Sequence, residues 1–206
     1  MSNTLKRIFT AAFMLTIAIG AWRLDWIKWL AGAVAAGMAI ELFAAVIRSK
    51  QKPPVWTLPL LAVVCVLFIA AAVNVGVNRE VVLILFLIIA AADTGAWLFG
   101  TLIGGDKMWE RLSPGKTWSG QIAGVVCGTI AGVLFALLIK GTFEPWLMWI
   151  GIGVSLLSQY GDLAASAIKR KLGIKDFSRI LPGHGGLLDR FDGWIFVLPI
   201  VWLAMG

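Results

Sequence analysis

Acidic residues inside apolar segments are the first candidates for chemistry in this sequence. Glu41, Asp93 and Asp162 each lie within a long hydrophobic run, where a charge costs about 2.5–3.5 kcal/mol or more in a bilayer. Such residues usually face a cavity or a partner, so each is a candidate functional residue. Asp162 has polar neighbours at Ser158 and Ser166. Glu41 stands alone, and for this residue a structural hydrogen bond or ion pair is at least as good an interpretation.

The second candidate is the segment 166–192, a dense cluster of charge between two apolar runs. It holds six cations, three carboxylates and the only histidine, His184. Asp189 and Asp192 are three residues apart and would share one face of a helix. They could simply complement the dipole of that helix, or they could hold a metal ion that bridges phosphate oxygens among the cations. Because the dipole does not explain Arg190 between them, we favour the second interpretation.

The third candidate is Ser113-Pro114-Gly115-Lys116-Thr117, which directly precedes the fifth apolar run. Its Gly-Lys-Thr sequence is like that of a P-loop, but a P-loop also needs a glycine at position 110, where this chain has Glu110. A glycine turn, a lysine and a helix N-terminus can still bind an anion. The alternative is a capped loop whose lysine only marks the cytosolic side of a membrane.

The elements that must position these residues follow from composition. The chain has 206 residues, of which 60% are hydrophobic and 14% charged, whereas soluble domains average about 45–50% apolar and 25% charged residues. A membrane helix needs about 20 apolar residues, and seven apolar runs are found. They are 8–22, 26–47, 55–73, 80–104, 118–139, 145–168 and 192–206. We predict an all-α, polytopic helical membrane protein with about seven transmembrane helices, forming a single integral membrane domain over 1–206.

The distribution of positive charge predicts the orientation. Of the 18 Lys and Arg residues, 14 fall at the N-terminal end and in the even-numbered loops, and 4 fall on the other side. Positive residues accumulate in the cytosol, so we expect a cytoplasmic N-terminus and no role in nucleic-acid binding. The first run could be a signal peptide, but Ala18-Ile19-Gly20 is a poor cleavage site and a second run follows almost at once. The charged loops 105–117 and 169–191 are then cytosolic.

Glycines recur every four residues on one face of the fifth run. This ladder consists of Gly120, Gly124, Gly128 and Gly132, and such spacing lets another helix approach closely. We favour packing within the chain, and a homodimer interface is the alternative. Cys65 and Cys127 lie inside apolar runs without a second ligand nearby, so neither a disulfide framework nor a zinc site is expected.

The stretch 166–192 resembles the signature of the phosphatidate cytidylyltransferases, also called CDP-diacylglycerol synthases. The matching elements are Ser166-x-Ile168-Lys169-Arg170, Lys175-Asp176, Pro182-x-His184-Gly185-Gly186 and Asp189-Arg190-x-Asp192. Asp93-Thr94-Gly95-Ala96, Ser113-Pro114-Gly115-Lys116-Thr117 and Gly161-Asp162 are similar to other common blocks of that family. The resemblance covers residues 90–206, and the catalytic motifs lie within 90–192. The N-terminal part matches only in being hydrophobic, and the chain is shorter than typical members.

The resemblance implies that CTP and phosphatidate, a membrane lipid, react to give CDP-diacylglycerol and pyrophosphate. It implies dependence on Mg²⁺, with a second monovalent or divalent cation as an open alternative, and a place in the bacterial inner membrane with the active site facing the cytoplasm. From the residues and the resemblance together we expect Asp162, Asp189 and Asp192 to bind the metal and, with Lys169 and Arg170, to be catalytic. The expected substrate-binding residues are Asp93, Ser113, Lys116, Thr117, Lys175, His184 and Arg190.

Two other functions remain open at this point. One is a CTP-dependent enzyme acting on another lipid, such as an isoprenoid-ether phosphatidate or a polyprenol. The other is a transporter that uses the intramembrane acids as ion ligands, although transporters often contain internal repeats and none is visible here. The CDP-alcohol phosphotransferases need an Asp-Gly-x-x-Ala-Arg run, which this chain lacks.

Overall fold

The computed structural model describes residues 3–49, 57–110, 112–141, 143, 145–181 and 185–205. Within them the chain forms seven α-helices and one two-stranded sheet. The elements are α1 Asn3–Arg23, α2 Ile27–Arg48, α3 Thr57–Gly76, α4 Arg79–Ile103, β1 Lys107–Trp109, β2 Ser113–Thr117, α5 Trp118–Lys140, α6 Trp146–Lys171 and α7 Trp194–Met205. Each predicted apolar run coincides with one helix, so the prediction of a helical protein is confirmed.

Three of the described helices are long and apolar enough to cross a membrane, namely α2, α4 and α5. They identify the chain as a helical membrane protein. α7 has only 12 residues and contains Pro199, and α6 interrupts its apolar surface with Ser155, Ser158, Gln159 and Asp162. The count of about seven spans and the cytoplasmic N-terminus stay predictions.

The chain divides into two compact units. Unit 1 comprises Met1–Arg79 and Ala167–Gly206, and unit 2 comprises Glu80–Ser166. The sequence gives no sign of this division, since no linker of Gly, Pro or Ser marks either boundary. Each unit holds a different part of the expected site.

In unit 2, the glycine ladder of α5 packs against α4. A Cβ atom added at Gly120 would lie 2.6 Å from the carbonyl oxygen of Ala96, and one at Gly124 would lie 2.8 Å from that of Ala92. No real side chain tolerates these distances, so the two helices meet at backbone contact. The ladder therefore serves packing within the chain, which is the interpretation that we favoured from the sequence.

A short hairpin precedes α5, where the sequence predicted only a loop. β1 and β2 pair antiparallel, with Lys107 opposite Thr117 and Trp109 opposite Ser113. Strands of three and five residues are too short to show the alternation that identifies a strand. At the end of β2, the Thr117 hydroxyl accepts a hydrogen bond from the Gly120 N–H at 3.2 Å and caps α5. The hairpin thus fixes Lys116 at the N-terminus of α5.

In unit 1, α3 packs against both α2 and α7. A Cβ atom added at Gly76 would lie 2.8 Å from the Cα of Lys28, and one at Gly32 would lie 2.8 Å from a methyl of Val73. These contacts pair the end of α3 with the start of α2, so the two helices run antiparallel. Val75 of α3 is fully buried.

Candidate functional site

A cavity of about 380 Å³ in unit 2 collects the residues that the sequence had suggested separately. Its polar lining comes from α4, β2, α5 and α6: Asp93, Ser113, Lys116, Thr117, Gln121, Gln159 and Asp162. The three blocks that resembled the family motifs outside 166–192 therefore meet at one cavity. Five predicted site residues lie here, and the two glutamines are additions that the sequence analysis missed.

Lys116 and Asp162 form an ion pair in this cavity. The Nζ of Lys116 lies 2.8 Å from Oδ2 of Asp162 and donates a hydrogen bond to the backbone carbonyl of Gln159 at 3.3 Å. The side chains keep 24% and 36% of their surface exposed, so both remain accessible from the cavity. The sequence placed Lys116 with phosphate and Asp162 with metal, and no spacing in the sequence links the two residues directly.

Gln121 contributes a buried donor to the cavity wall. The residue is 7% exposed, and its Nε2 has no hydrogen-bond partner among the residues that the structure describes. An unpaired buried donor costs about 1–3 kcal/mol, and such groups occur where a ligand supplies the missing acceptor. Nothing in the sequence marked Gln121, because glutamine in an apolar helix is a weak signal by itself.

The cavity has the donor set that a metal–phosphate group needs. Asp93 and Asp162 offer two carboxylates, Lys116 offers an ammonium, and Ser113 and Thr117 offer hydroxyls. Mg²⁺ is usually held by one or two carboxylates together with water and substrate phosphates. The residues of unit 2 therefore fit Mg²⁺ with a nucleotide. Within the described ranges, no group of three or more His, Cys, Asp or Glu side chains is placed to hold a metal by itself.

In unit 1, Asp189 organises the loop between α6 and α7. Its Oδ1 accepts a hydrogen bond from Lys169 Nζ at 2.8 Å, and its Oδ2 accepts from the backbone N–H groups of Phe177 at 2.9 Å and Gly186 at 3.0 Å. The side chains of Lys169 and Asp189 are only 14% and 6% exposed. This is a largely buried ion pair whose carboxylate accepts three hydrogen bonds, a role that the sequence did not suggest for either residue.

Glu41 connects α2 to the same loop. Its Oε1 accepts hydrogen bonds from the Ser178 hydroxyl at 2.6 Å and the Leu187 N–H at 2.9 Å, and its Oε2 accepts from the Leu188 N–H at 2.8 Å. The residue is 4% exposed. The structural interpretation of Glu41 is thereby confirmed, although its partners lie too far along the chain to be inferred from the sequence.

The remaining predicted residues occupy the loop and the end of α6. Asp189 and Asp192 lie in turns before α7, which begins at Trp194, so they do not share a helix face as expected. Asp192 accepts a hydrogen bond from the Gly193 N–H at 3.0 Å. Arg170, Lys175 and Arg190 are exposed. His184 lies outside the described residues. The predicted meeting of Asp162 with Asp189 and Asp192 involves both units and stays a prediction.

Comparison with known proteins identifies the class of this molecule. The sequence profile of the cytidylyltransferase family matches residues 2–206. A phosphatidate cytidylyltransferase of Staphylococcus haemolyticus is 34% identical over 199 residues, which cover 94% of this chain and 76% of that protein. Those of Staphylococcus saprophyticus and Staphylococcus aureus are 44% and 45% identical over 121 residues, which cover 58% of this chain and 46% of each relative.

The protein is thus a CTP-dependent nucleotidyltransferase, as the sequence analysis predicted, and the transporter alternative finds no support. The chain belongs to the cytidylyltransferase family, because the match covers almost its whole length. The match also includes the N-terminal part, where the residues alone had offered only hydrophobicity.

Proposed function

We propose that this protein transfers the cytidylyl group of CTP to phosphatidate. An oxygen of the lipid phosphate bonds to the α-phosphorus of CTP, the bond from that phosphorus to the β-phosphate oxygen breaks, and pyrophosphate leaves with the electron pair. The products are CDP-diacylglycerol and pyrophosphate. The observation that carries the proposal is the meeting of Asp93, Lys116 and Asp162 at one cavity of unit 2. The names of the relatives supply the lipid.

The Lys116–Asp162 pair suits exchange with a charged ligand. A metal–nucleotide complex would bring a cation to Asp162 and phosphate oxygens to Lys116. Each side chain would then exchange its present partner for another group of opposite charge. Because both side chains are partly exposed, the pair itself contributes little stability, about 1 kcal/mol or less. Opening it therefore costs little.

Mg²⁺ is proposed as the cofactor, with Asp162 as a ligand and Asp93 beside it in the cavity. When bound, the metal would neutralise charge on the triphosphate and orient it for displacement. Asp189 and Asp192 are kept as further proposed ligands on the strength of the family resemblance, and the variants described below test them. A second cation is an additional proposal without a residue assigned to it.

No general base is needed for the attack. A phosphate monoester has a second pKa of about 6, so the lipid phosphate is largely ionised at neutral pH. We therefore propose that His184 binds phosphate or fixes its turn and does not take a proton. Lys169, Arg170 and Arg190 are proposed to balance phosphate charge.

The active site is proposed to face the cytoplasm of a bacterial inner membrane, because CTP is a cytosolic substrate. In a variant without Cys65 and Cys127, a cysteine replacing the exposed Lys171 should react with an impermeant maleimide only after the membrane is opened. A cysteine appended after Gly206 should react from outside. The reverse labelling pattern would place the loop on the wrong side for CTP and would contradict this orientation.

The direct test is an assay with the purified protein, labelled CTP and phosphatidate. We expect a labelled CDP-lipid in the presence of Mg²⁺ and none when EDTA removes the metal. An isoprenoid-ether phosphatidate and a polyprenol phosphate serve as parallel substrates. Preferential turnover of either one would overturn the assignment of phosphatidate and leave the transfer of a cytidylyl group intact. Unchanged turnover in EDTA would contradict the proposal that the reaction depends on Mg²⁺.

A further inference from the structure

A groove of about 720 Å³ lies in unit 1. One wall is the last part of α2, and the other is the segment 174–180; we refer to it as the α2 groove. Three cations line it, namely Arg48, Lys175 and Arg179. All three are exposed, and none forms an ion pair with another residue of the described chain. The groove thus offers positive charge that no carboxylate of the described residues pairs with.

The same groove has an apolar side. Ile40, Ala44, Ile174 and Ile180 line it alongside the cations, and the side chains of Ile40 and Ile180 are 68% and 67% exposed. Ile40 and Ala44 belong to α2, one of the helices apolar enough to cross a membrane, and Arg48 is its last residue. An apolar surface that leads to a cation at the end of a membrane helix is typical of contact with a lipid and its headgroup.

One hydrogen bond joins the two walls, and a second one fixes the segment 174–180 within its own loop. Glu41 on α2 accepts the Ser178 hydroxyl, and the Phe177 N–H donates to Asp189. The segment that carries Lys175 and Arg179 is therefore fixed beside α2. Glu41 and Asp176 also line the groove. Glu41 is buried and its carboxylate accepts three hydrogen bonds. Asp176 is therefore the one exposed carboxylate in the lining, against three exposed cations.

We propose that the α2 groove binds the phosphate monoester of phosphatidate, with the start of the acyl chains against Ile40 and Ile180. The proposal rests on the function proposed above and names residues of unit 1 that recognise the headgroup of its lipid substrate. A phosphate monoester carries a charge of about −1.5 to −2 at pH 7, and guanidinium groups such as Arg48 and Arg179 bind phosphate through paired hydrogen bonds. A nucleotide would match the cations but would leave the two isoleucines exposed to water.

The test compares two variants, Arg48→Gln and Arg179→Gln, with the matched control Lys171→Gln. Lys171 is exposed in the last turn of α6 and does not line the groove. Activity is measured in phosphatidylcholine nanodiscs while the mole fraction of phosphatidate and the concentration of CTP are varied separately. Each groove variant should raise the KM for phosphatidate about tenfold, the effect expected for one lost charge-assisted hydrogen bond. The KM for CTP, and both constants of the control, should not change.

Binding is also measured without turnover, as retention of labelled phosphatidate by the detergent-purified protein during gel filtration. The groove variants should retain less lipid than the wild type, and Arg48→Lys should recover part of the loss because it keeps the charge. An unchanged KM for phosphatidate, or a raised KM for CTP alone, would overturn the proposal. Equal retention of phosphatidylglycerol would show a general anionic-lipid site and would also overturn it.

These readouts separate this proposal from the proposed reaction. Retention of phosphatidate that depends on Arg48 and Arg179, together with no CDP-lipid product, would refute the reaction and support the groove. Normal turnover with unchanged lipid kinetics in both variants would support the reaction and refute the groove as the lipid site. A variant that elutes as an aggregate is replaced by Arg48→Lys, whose intermediate effect makes the same distinction.

Discussion

Two lysine–aspartate pairs in this protein have the same separation and opposite surroundings. Lys116–Asp162 in unit 2 and Lys169–Asp189 in unit 1 both measure 2.8 Å. The first lines a cavity, and its side chains are 24% and 36% exposed; those of the second are 14% and 6% exposed. Asp189 also accepts two backbone N–H groups. The distance between two charges therefore says little about their role, whereas burial and additional hydrogen bonds distinguish an exchangeable pair from a structural one.

The largest effect is expected when the buried pair is broken by Asp189→Asn. The variant leaves the Lys169 ammonium without its counter-charge and places an amide N–H against a donor, either that ammonium or the N–H groups of Phe177 and Gly186. Breaking a buried pair in this way costs about 3–5 kcal/mol. We expect a lower Tm by scanning calorimetry in detergent together with lost CDP-lipid formation. A variant that loses activity at an unchanged Tm would show that Asp189 acts on ligand and not on the loop.

The variant Asp162→Asn should separate activity from stability. We expect turnover to fall about 100-fold, the order seen when one electrostatic contact to the reacting group is removed, with the Tm little changed because both side chains of the pair are partly exposed. Titration of Mg²⁺ should show a raised requirement for the metal. The control is Asp25→Asn, since Asp25 pairs with Arg79 at 3.4 Å on an exposed surface. A Tm drop as large as that of Asp189→Asn would erase the distinction between the two pairs.

A smaller effect is expected for Lys116→Met. The loss of one ammonium at the triphosphate should raise the KM for CTP about tenfold, while the KM for phosphatidate stays constant. Steady-state kinetics with each substrate varied in turn measures both constants. Lys107→Met is the control, because Lys107 belongs to the same hairpin, is exposed and does not line the cavity. Unchanged CTP kinetics in Lys116→Met would show that Lys116 does not contact CTP and is only a cation in the loop that caps α5.

The smallest effect is expected for Gln121→Leu. This substitution should not lower the stability of the protein, but it should weaken the binding of CTP. Removal of a buried, unpaired donor should leave the Tm equal or higher, while the KM for CTP rises a few-fold. Ser155→Ala is the matched control, because Ser155 has the other unpaired buried polar atom of the described chain and does not line the cavity. The control should change the Tm alone. If the KM for CTP rises equally in both variants, the rise is due to altered packing and not to a lost contact with CTP.

The sequence predicts the helices well because each apolar run is bounded by charge, glycine or proline, as α2 is by Arg48 and the Pro53-Pro54 pair. It also singles out Asp93 and Asp162, because charge in an apolar run is rare, and Lys116, because it follows a glycine turn before a helix; all three line the cavity of unit 2. It does not predict the hairpin, whose strands are too short, nor the partners of Glu41 and Asp189. Most of those partners are backbone N–H groups, and a backbone donor leaves no trace in residue type.

The anchoring of Glu41 has a consequence for the order in which the chain is made. α2 leaves the ribosome long before Ser178, which lies 137 residues further along, so its carboxylate enters an apolar environment without its three donors. A charge left unpaired inside a membrane is costly, and α2 therefore reaches its final packing only after the C-terminal segment has been synthesised. The packing of α2 is thus completed by the segment between α6 and α7.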